Sequence, residues 1–159
     1  AFVAIEDERF YDHNGIDLHG IARAFISGLS KGRFSEGAST ITQQLIKNNV
    51  LTSWTSETSF VEKLQRKIQE QYLALELEKQ VKDKDWILEN YMNSVNLGAN
   101  TLGVQAASKK YFNKDVSELT LSEASVIAGI TQNPSGYNPI THPDKNANEG
   151  SGLYHQGAI

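Results

Sequence analysis

The sequence predicts a mostly α-helical protein, and three observations support this fold class. Apolar residues recur at intervals of three and four along most of the 159 residues, as they do on one face of a helix. Thr40 with Gln43, and Thr120 with Glu123, have the spacing of a capping box at a helix start. The sequence shows no convincing run of alternating apolar and polar residues, the pattern of a half-buried strand.

The first helix is predicted to run from the start of the chain to Gly15. Val3, Glu6, Phe10 and His13 follow one another at intervals of three or four, so they share one face, and Gly15 is a natural C-terminal stop. The pattern starts without a preceding cap. We therefore expect a domain truncated at its N-terminus, with any membrane anchor upstream of this sequence.

A second helix is predicted after Asp17, whose side chain suits an N-cap, and is expected to end at Gly32. Its apolar positions recur regularly and are expected to face the core. These positions are Leu18, Ile21, Ala22, Phe25, Ile26 and Leu29.

A third helix is predicted to start at Thr40, after a turn of small residues at 37–39, and a long helix is predicted at 60–82. Between them, the polar loop 49–59 carries Trp54, for which two alternatives stay open: contact with a membrane interface, or a stray aromatic on a surface loop. Further helices are predicted at 83–95, capped by Asp83 or Asp85, at 104–111 and at 121–130, and NPSGYNP is expected to form a turn.

Composition limits the classes of function. The length suits one domain with a proper core. A formal net charge of −4 argues against nucleic acid as a partner, because phosphate backbones favour clustered Lys and Arg. The absence of cysteine excludes disulfides and thiolate metal sites, and no apolar run approaches the roughly 20 residues needed to span a bilayer.

Glu6 is the first candidate for chemistry. Phe2 and Phe10 lie four residues before and after it, and apolar neighbours disfavour the charged form of a carboxylate. Such an environment suits proton transfer near neutral pH. The alternative is that Glu6 is an ordinary surface acid.

The predicted third helix offers hydrogen-bond donors. Thr40, Gln43, Gln44 and Lys47 are expected to share one face, and the N–H groups at the start of the helix are expected to face a ligand. These groups suit oxygen-rich partners such as sugars or phosphates. The alternative is an ordinary polar face on a well-capped amphipathic helix.

The long helix contributes charged residues. Arg66 and Lys67 lie four and three residues before Glu70, so all three approach one face, and beyond Glu70 the helix is apolar nearly all round and expected to be buried. Two cations beside a carboxylate at the edge of a cleft suit a phosphate-bearing ligand better than a solvated ion pair.

Four segments resemble, in order and with similar spacing, the first four signature motifs of peptidoglycan glycosyltransferases. They are EDERFYDHNG, GASTITQQLIKN, RKIQE and DWILENYMN, and the resemblance continues to about residue 147. This is glycosyltransferase family 51, which comprises the transglycosylase domains of class A penicillin-binding proteins and their monofunctional relatives. The resemblance implies a lysozyme-like helical head with a smaller, membrane-contacting jaw.

The resemblance also implies an activity: polymerisation of lipid II onto a growing glycan strand, with inversion and release of undecaprenyl pyrophosphate. Glu6 matches the general base that deprotonates the acceptor 4-hydroxyl, and Glu70 matches the second catalytic carboxylate. A divalent cation, Mg²⁺ or Mn²⁺, is expected on the same ground. Positions matching substrate contacts are Asp7, Phe10, His13, Ser39, Thr40, Gln43, Gln44, Lys47, Asn48, Arg66 and Lys67.

The implied partners are lipid II, the glycan strand, the membrane surface and the inhibitor moenomycin, at the extracytoplasmic face of the bacterial plasma membrane. The parent protein either continues into a linked transpeptidase domain or is monofunctional. The glycosyltransferase domain is assigned to residues 1–148. Residues 149–159 form an atypical tail, because no arginine follows Arg66 and the fifth family motif carries paired arginines.

Two alternatives stay open at this point. A lysozyme-like muramidase or lytic transglycosylase would share the fold, but it needs a carboxylic acid to protonate a sugar leaving group. A diphosphate leaves once fixed cations neutralise its charge, and Lys47, Arg66 and Lys67 favour that chemistry. The other alternative is a catalytically inactive helical binding module.

Overall fold

The computed structural model describes residues 1–31, 37–51 and 59–142, and most of them are helical. Within these ranges the only β-structure is an isolated bridge between Asn96 and Leu102. The predicted mostly α fold is confirmed. The helices are α1 (Phe2–Glu6), α2 (Leu18–Lys31), α3 (Ile41–Asn49), α4 (Phe60–Val81), α5 (Lys84–Ser94), α6 (Val104–Phe112) and α7 (Leu121–Ile130), with a short 3₁₀ helix at Val116–Glu118.

The chain forms two compact units, Glu6–Glu89 and a second unit composed of Ala1–Ile5 with Asn90–Ile159. Each has an apolar core of its own. The division into a lysozyme-like head and a membrane-contacting jaw, which the resemblance implies, stays a prediction. Buried core residues of the first unit are Phe10, Ile41, Leu45, Ile46, Ala74 and Ile87, and those of the second include Tyr91, Val95, Leu97, Val104, Ala107, Ile127, Ala128 and Ile130.

The first helix is shorter than the sequence predicts, because α1 ends at Glu6. Residues 7–15 form turns instead, with N–H groups donating to carbonyls three residues back, as from Phe10 to Asp7 at 2.9 Å. Asp7 is committed to a tertiary contact, since its carboxylate accepts from the Ile41 N–H of α3 at 3.0 Å. That contact joins two residues that are 34 apart in the sequence, so no local pattern contains it. It explains why the prediction of a continuous helix to Gly15 is wrong.

The start of α2 confirms the predicted cap, because Asp17 Oδ1 accepts from the Gly20 N–H at 2.9 Å. Burial raises the pKa of Asp17, but hydrogen bonds from Arg9 and the Gly20 N–H outweigh it, so the pKa lies below its usual value. The expectation that the apolar stripe faces the core is wrong for Leu18, Ala22, Phe25 and Ile26, which are exposed. Periodicity identifies an apolar face but does not supply a neighbour to cover it.

Helix α4 has the predicted extent, and its burial is the reverse of the sequence-based expectation. Its buried positions are Glu70, Ala74 and Glu78. The glutamates are buried because each finds a charged partner. The expectation of a helix buried all round beyond Glu70 is wrong. The opposite face is exposed and carries Val61, Leu64, Ile68, Tyr72 and Leu75.

The predicted helices after residue 82 are confirmed. Asp83 caps α5 by accepting from the Trp86 N–H at 3.0 Å, and Thr120 forms the predicted capping box with Glu123. The hydrogen bond from Lys114 lowers the pKa of Glu123 to about 2. The predicted turn at NPSGYNP is also observed.

Two sequence-based expectations fall outside the described residues: the interfacial role of Trp54 and the assignment of the tail at 149–159. Among the helices that the structure describes, none combines the length and the apolar character needed to cross a bilayer.

Ala99 lies in a strained turn whose backbone suggests a stabilising substitution. Gly98, Ala99 and Asn100 all have left-handed φ angles, of 77°, 49° and 58°. Alanine in this region costs about 1 kcal/mol relative to glycine. We expect Ala99→Gly to raise the free energy of unfolding by about that amount, measured by urea denaturation.

The matched control is Ala106→Gly, at an exposed position in the interior of α6. There glycine should lower the free energy of unfolding by roughly 0.5–1 kcal/mol. An unchanged or lowered stability for Ala99→Gly would contradict the assignment of strain to this turn.

Candidate active site

All of the site residues predicted from the sequence lie in the compact unit Glu6–Glu89. Three segments supply them: Glu6 with the turns that follow it, α3 with the two residues before it, and the first half of α4. The structure therefore brings together groups that are far apart in the sequence.

Glu6 is the last residue of α1 and is half-buried. The Gln44 side chain on α3 donates from Nε2 to Glu6 Oε2 at 2.7 Å. An amide donor holds a carboxylate in a fixed orientation, and partial exposure lets the hydroxyl of a ligand approach it. Glu6 has the placement that a general base requires.

Glu70 is the second carboxylate, and only 1% of it is exposed. Arg66 Nη1 donates to one of its oxygens, and Lys67 Nζ donates to the other at 2.9 Å. Lys67 Nζ also donates to Ser39 Oγ, just before α3, at 2.6 Å. Both cations are themselves partly exposed. Glu70 therefore fixes two cations that can bind an anionic group.

Helix α3 joins the two carboxylates. Gln44, the partner of Glu6, and Ser39, the partner of Lys67, are separated by less than two helical turns. Lys47 follows Gln44 by one turn and is exposed, as is Asn48. A half-buried base and a group of cations consequently approach the same short helix.

The start of α3 is occupied by the protein's own carboxylate. Asp7 is buried and accepts from the Ile41 N–H at 3.0 Å and from His13 Nε2 at 2.9 Å. The Gly15 N–H donates to His13 Nδ1 at 3.2 Å, so His13 carries its proton on Nε2, towards Asp7. The Gln43 N–H donates to Thr40 Oγ1. The expectation that these N–H groups face a ligand is wrong for Ile41 and Gln43.

The residues that the resemblance matched to substrate contacts differ in exposure. Asp7, Phe10, Thr40 and Gln43 are buried. His13 is half-buried and hydrogen-bonded to Asp7. The other six, Ser39, Gln44, Lys47, Asn48, Arg66 and Lys67, are partly or fully exposed. Direct contact with substrate stays a prediction for all of them.

Gly15 is packed tightly between these elements. Its φ is +88°, and a Cβ built on it would lie 2.8 Å from the Ala74 carbonyl oxygen of α4. Its own carbonyl accepts from Thr40 Oγ1 at 2.7 Å. A residue with no side chain thus allows the turns after Glu6 to approach α3 and α4 closely.

The surroundings of Glu70 do not fit a divalent cation held by protein side chains. Arg66 and Lys67 occupy both oxygens of this carboxylate. No cluster of three or more carboxylate or histidine side chains suited to a metal occurs in the described ranges. The reaction proposed for this site therefore uses no metal ion held by side chains of the protein.

Sequence reasoning missed Thr42, Glu78 and Lys84, which form a buried network beside the site. One signal was available: Glu78 lies eight residues after Glu70, on the same face of α4. A carboxylate on a buried helix face requires a partner.

The fold and the site together define a helical protein that combines a candidate general base with fixed cations for an anionic group. Comparison with known proteins assigns it further, because the family described as Transglycosylase matches residues 1–156. The chain belongs to this family. The match extends into the tail at 149–159, and the domain boundary at residue 148 stays a prediction.

Three relatives illustrate the similarity. The chain is 48% identical over 149 residues to penicillin-binding protein 1A of Clostridium botulinum, covering 91% of this chain and 17% of the relative. It is 47% identical over 146 residues to penicillin-binding protein 1F of Bacillus subtilis, covering 92% and 19%. It is 49% identical over 150 residues to penicillin-binding protein 1A of Clostridium perfringens, covering 91% and 21%. The chain thus spans about a fifth of the length of these relatives.

The contacts of Asp7 generate a prediction about stability. In Asp7→Asn, one oxygen becomes an NH₂ group that must face either the Ile41 N–H or the His13 Nε2–H, so two donors meet. We expect the free energy of unfolding to fall by about 2–3 kcal/mol, measured by chemical denaturation. Asp12→Asn, at an exposed position in the same segment, should change it by less than about 0.5 kcal/mol. Equal effects of the two substitutions would contradict the role assigned to Asp7.

Proposed function

We propose that the chain is an inverting glycosyltransferase domain that polymerises lipid II into peptidoglycan glycan strands. Glu6 takes the proton of the acceptor 4-hydroxyl, and that oxygen bonds to the anomeric carbon of the donor. The bond from this carbon to the phosphate oxygen breaks with inversion, and undecaprenyl pyrophosphate leaves with the electron pair. Arg66, Lys67 and Lys47 neutralise the charge that develops on the diphosphate.

The arrangement of the two carboxylates is the observation that supports this reaction over hydrolysis. Glu70 is ion-paired through both oxygens, so it is a poor proton donor for a sugar leaving group. Its cations suit a leaving group that departs as an anion. Of these two carboxylates, Glu6 has the partial exposure and the amide partner that suit a base.

A divalent cation enters this proposal only as an ion carried by the diphosphate of the substrate, since Mg²⁺ commonly binds phosphates and retains several waters. No step assigned to the residues of the chain depends on it. The parent protein is proposed to act at the extracytoplasmic face of the plasma membrane. A linked transpeptidase domain is part of the proposal, supported by the much greater length of the relatives.

Glu6→Gln tests the reaction. The amide cannot accept the proton, so we expect polymerisation of purified lipid II to fall about 10²–10⁴-fold, measured by gel separation of glycan products. Thermal unfolding should change little. Glu8→Gln, two residues away and exposed, is the matched control and should retain full activity.

Three results would reject the proposal. One is full polymerisation by Glu6→Gln. The second is release of products from isolated sacculi with no product from lipid II, which would indicate a lytic enzyme. The third is binding of moenomycin without turnover of lipid II, which would indicate an inactive binding module.

The exposed apolar face of α4 supports the proposed membrane contact. Leu64 is 51% exposed and Ile68 is 58% exposed, on the same helix face as Tyr72. Apolar surface of this kind commonly marks a contact with lipid or protein. We expect Leu64→Gln combined with Ile68→Gln to weaken binding to phosphatidylglycerol/phosphatidylethanolamine vesicles by roughly ten-fold or more, measured by co-sedimentation.

The control combines Leu102→Gln with Ile140→Gln, which removes equally exposed apolar side chains from the other compact unit. This pair should leave vesicle binding unchanged. If both double variants bind like the unmodified protein, the α4 face makes no lipid contact.

A further inference from the structure

Glu78 makes two short contacts inside the compact unit that holds the site. Its side chain is only 4% exposed. Oε1 accepts from Thr42 Oγ1 of α3 at 2.5 Å, and Oε2 lies 2.6 Å from Lys84 Nζ at the start of α5. One buried carboxylate thereby connects α3, α4 and α5.

Lys84 extends this network to the segment after Glu6. Its Nζ lies 4.5 Å from the centroid of the Phe10 ring, and Phe10 is fully buried. Within the part of the chain that the structure describes, Nζ makes no directed hydrogen bond, so the ion pair with Glu78 and the ring face hold it. Phe10 follows Glu6 by four residues.

The network approaches the Glu6–Gln44 hydrogen bond from both sides. Thr42 precedes Gln44 by two residues on α3, so the bond from Thr42 to Glu78 fixes the helix that carries the amide. The contact between Lys84 and Phe10 fixes the segment that follows the carboxylate. Glu78 thus contacts, directly or through Lys84, both segments that carry the partners of the 2.7 Å bond.

Stability alone is a weak reason for this arrangement. Replacing a buried ion pair by apolar residues of similar volume is often neutral or stabilising, because removing two charges from water is costly. What a carboxylate supplies and an apolar side chain does not is a specific partner at each oxygen, here a hydrogen bond from Thr42 and an ion pair with Lys84.

We propose that Glu78 is a positioning residue. It acts through Thr42 and Lys84 to hold the Gln44 amide and the Glu6 carboxylate in the orientation that glycosyl transfer requires. This inference rests on the proposed function. It assigns Glu78 no contact with substrate, so its loss should lower kcat and leave binding of lipid II largely intact.

Thr42→Val, made in the full-length protein, tests the hydrogen bond from Thr42 to Glu78. Valine keeps the branched shape and removes the hydroxyl donor to Glu78. We expect kcat with purified lipid II to fall about ten-fold or more and KM to stay within about two-fold. Thr42→Ser keeps the hydroxyl and should restore most of kcat.

Glu78→Leu combined with Lys84→Met tests the carboxylate itself. Glu78→Leu alone would leave the Lys84 ammonium buried without a counter-charge. The double variant removes both charges at similar volume and should fold. We expect its kcat to fall at least as far as that of Thr42→Val, with circular dichroism and thermal unfolding confirming a folded protein.

The control is Ser108→Ala, which removes another buried hydroxyl, one that donates to the Lys114 carbonyl at 2.9 Å in the other compact unit. It should lower stability without changing kcat. Wild-type kcat in folded Thr42→Val and in the double variant would overturn the positioning role, as would an equal loss of kcat in Thr42→Ser. Those results leave the proposed function standing when Glu6→Gln is inactive, whereas full activity of Glu6→Gln would overturn both.

Discussion

A carboxylate removed from water must be paired with a cation or with hydrogen-bond donors, and this constraint organises the unit Glu6–Glu89. A buried charge without such a partner costs several kcal/mol. Each carboxylate therefore stays close to its partner, and this contact fixes the distance between the two segments that carry them. Asp7 draws the start of α3 against the turns after Glu6 through the Ile41 N–H. Glu70 holds the cations of α4 beside the start of α3, and Glu78 connects α3 with α5. Three acidic groups thus add specific contacts between segments to the apolar core of this unit.

The same constraint separates the two chemical tasks of the site. A carboxylate with both oxygens committed to cations is a fixed negative charge that orients positive ones, whereas a half-buried carboxylate with an amide partner is still able to take a proton. Glu70 is of the first kind and Glu6 of the second. The proposed reaction therefore assigns proton removal and charge neutralisation to different groups, and both groups contact residues in or next to α3.

Local features of the fold could be predicted from the sequence, and tertiary ones could not. Helix starts at Thr40 and Thr120 were predictable because a capping box is a contact between residues three apart. The approach of Arg66 and Lys67 to Glu70 followed from helix geometry for the same reason. The bond between Gln44 and Glu6 joins residues 38 apart, and no local pattern contains it. The motif resemblance marked both residues, while their contact became visible only in the structure.

The burial of α4 was mispredicted because hydrophobic periodicity records the chemistry of a helix face and does not indicate which face packs against a neighbour.

Gly15 places a limit on how this chain can vary. Its backbone meets α4 where no Cβ fits, its N–H sets the tautomer of His13, and its carbonyl receives the hydroxyl of Thr40. Any other residue would have to open the gap to Ala74 and would disturb all three relations together. A mutational library directed at this segment would therefore hold position 15 constant, while the adjacent Asn14, which is exposed, is open to change.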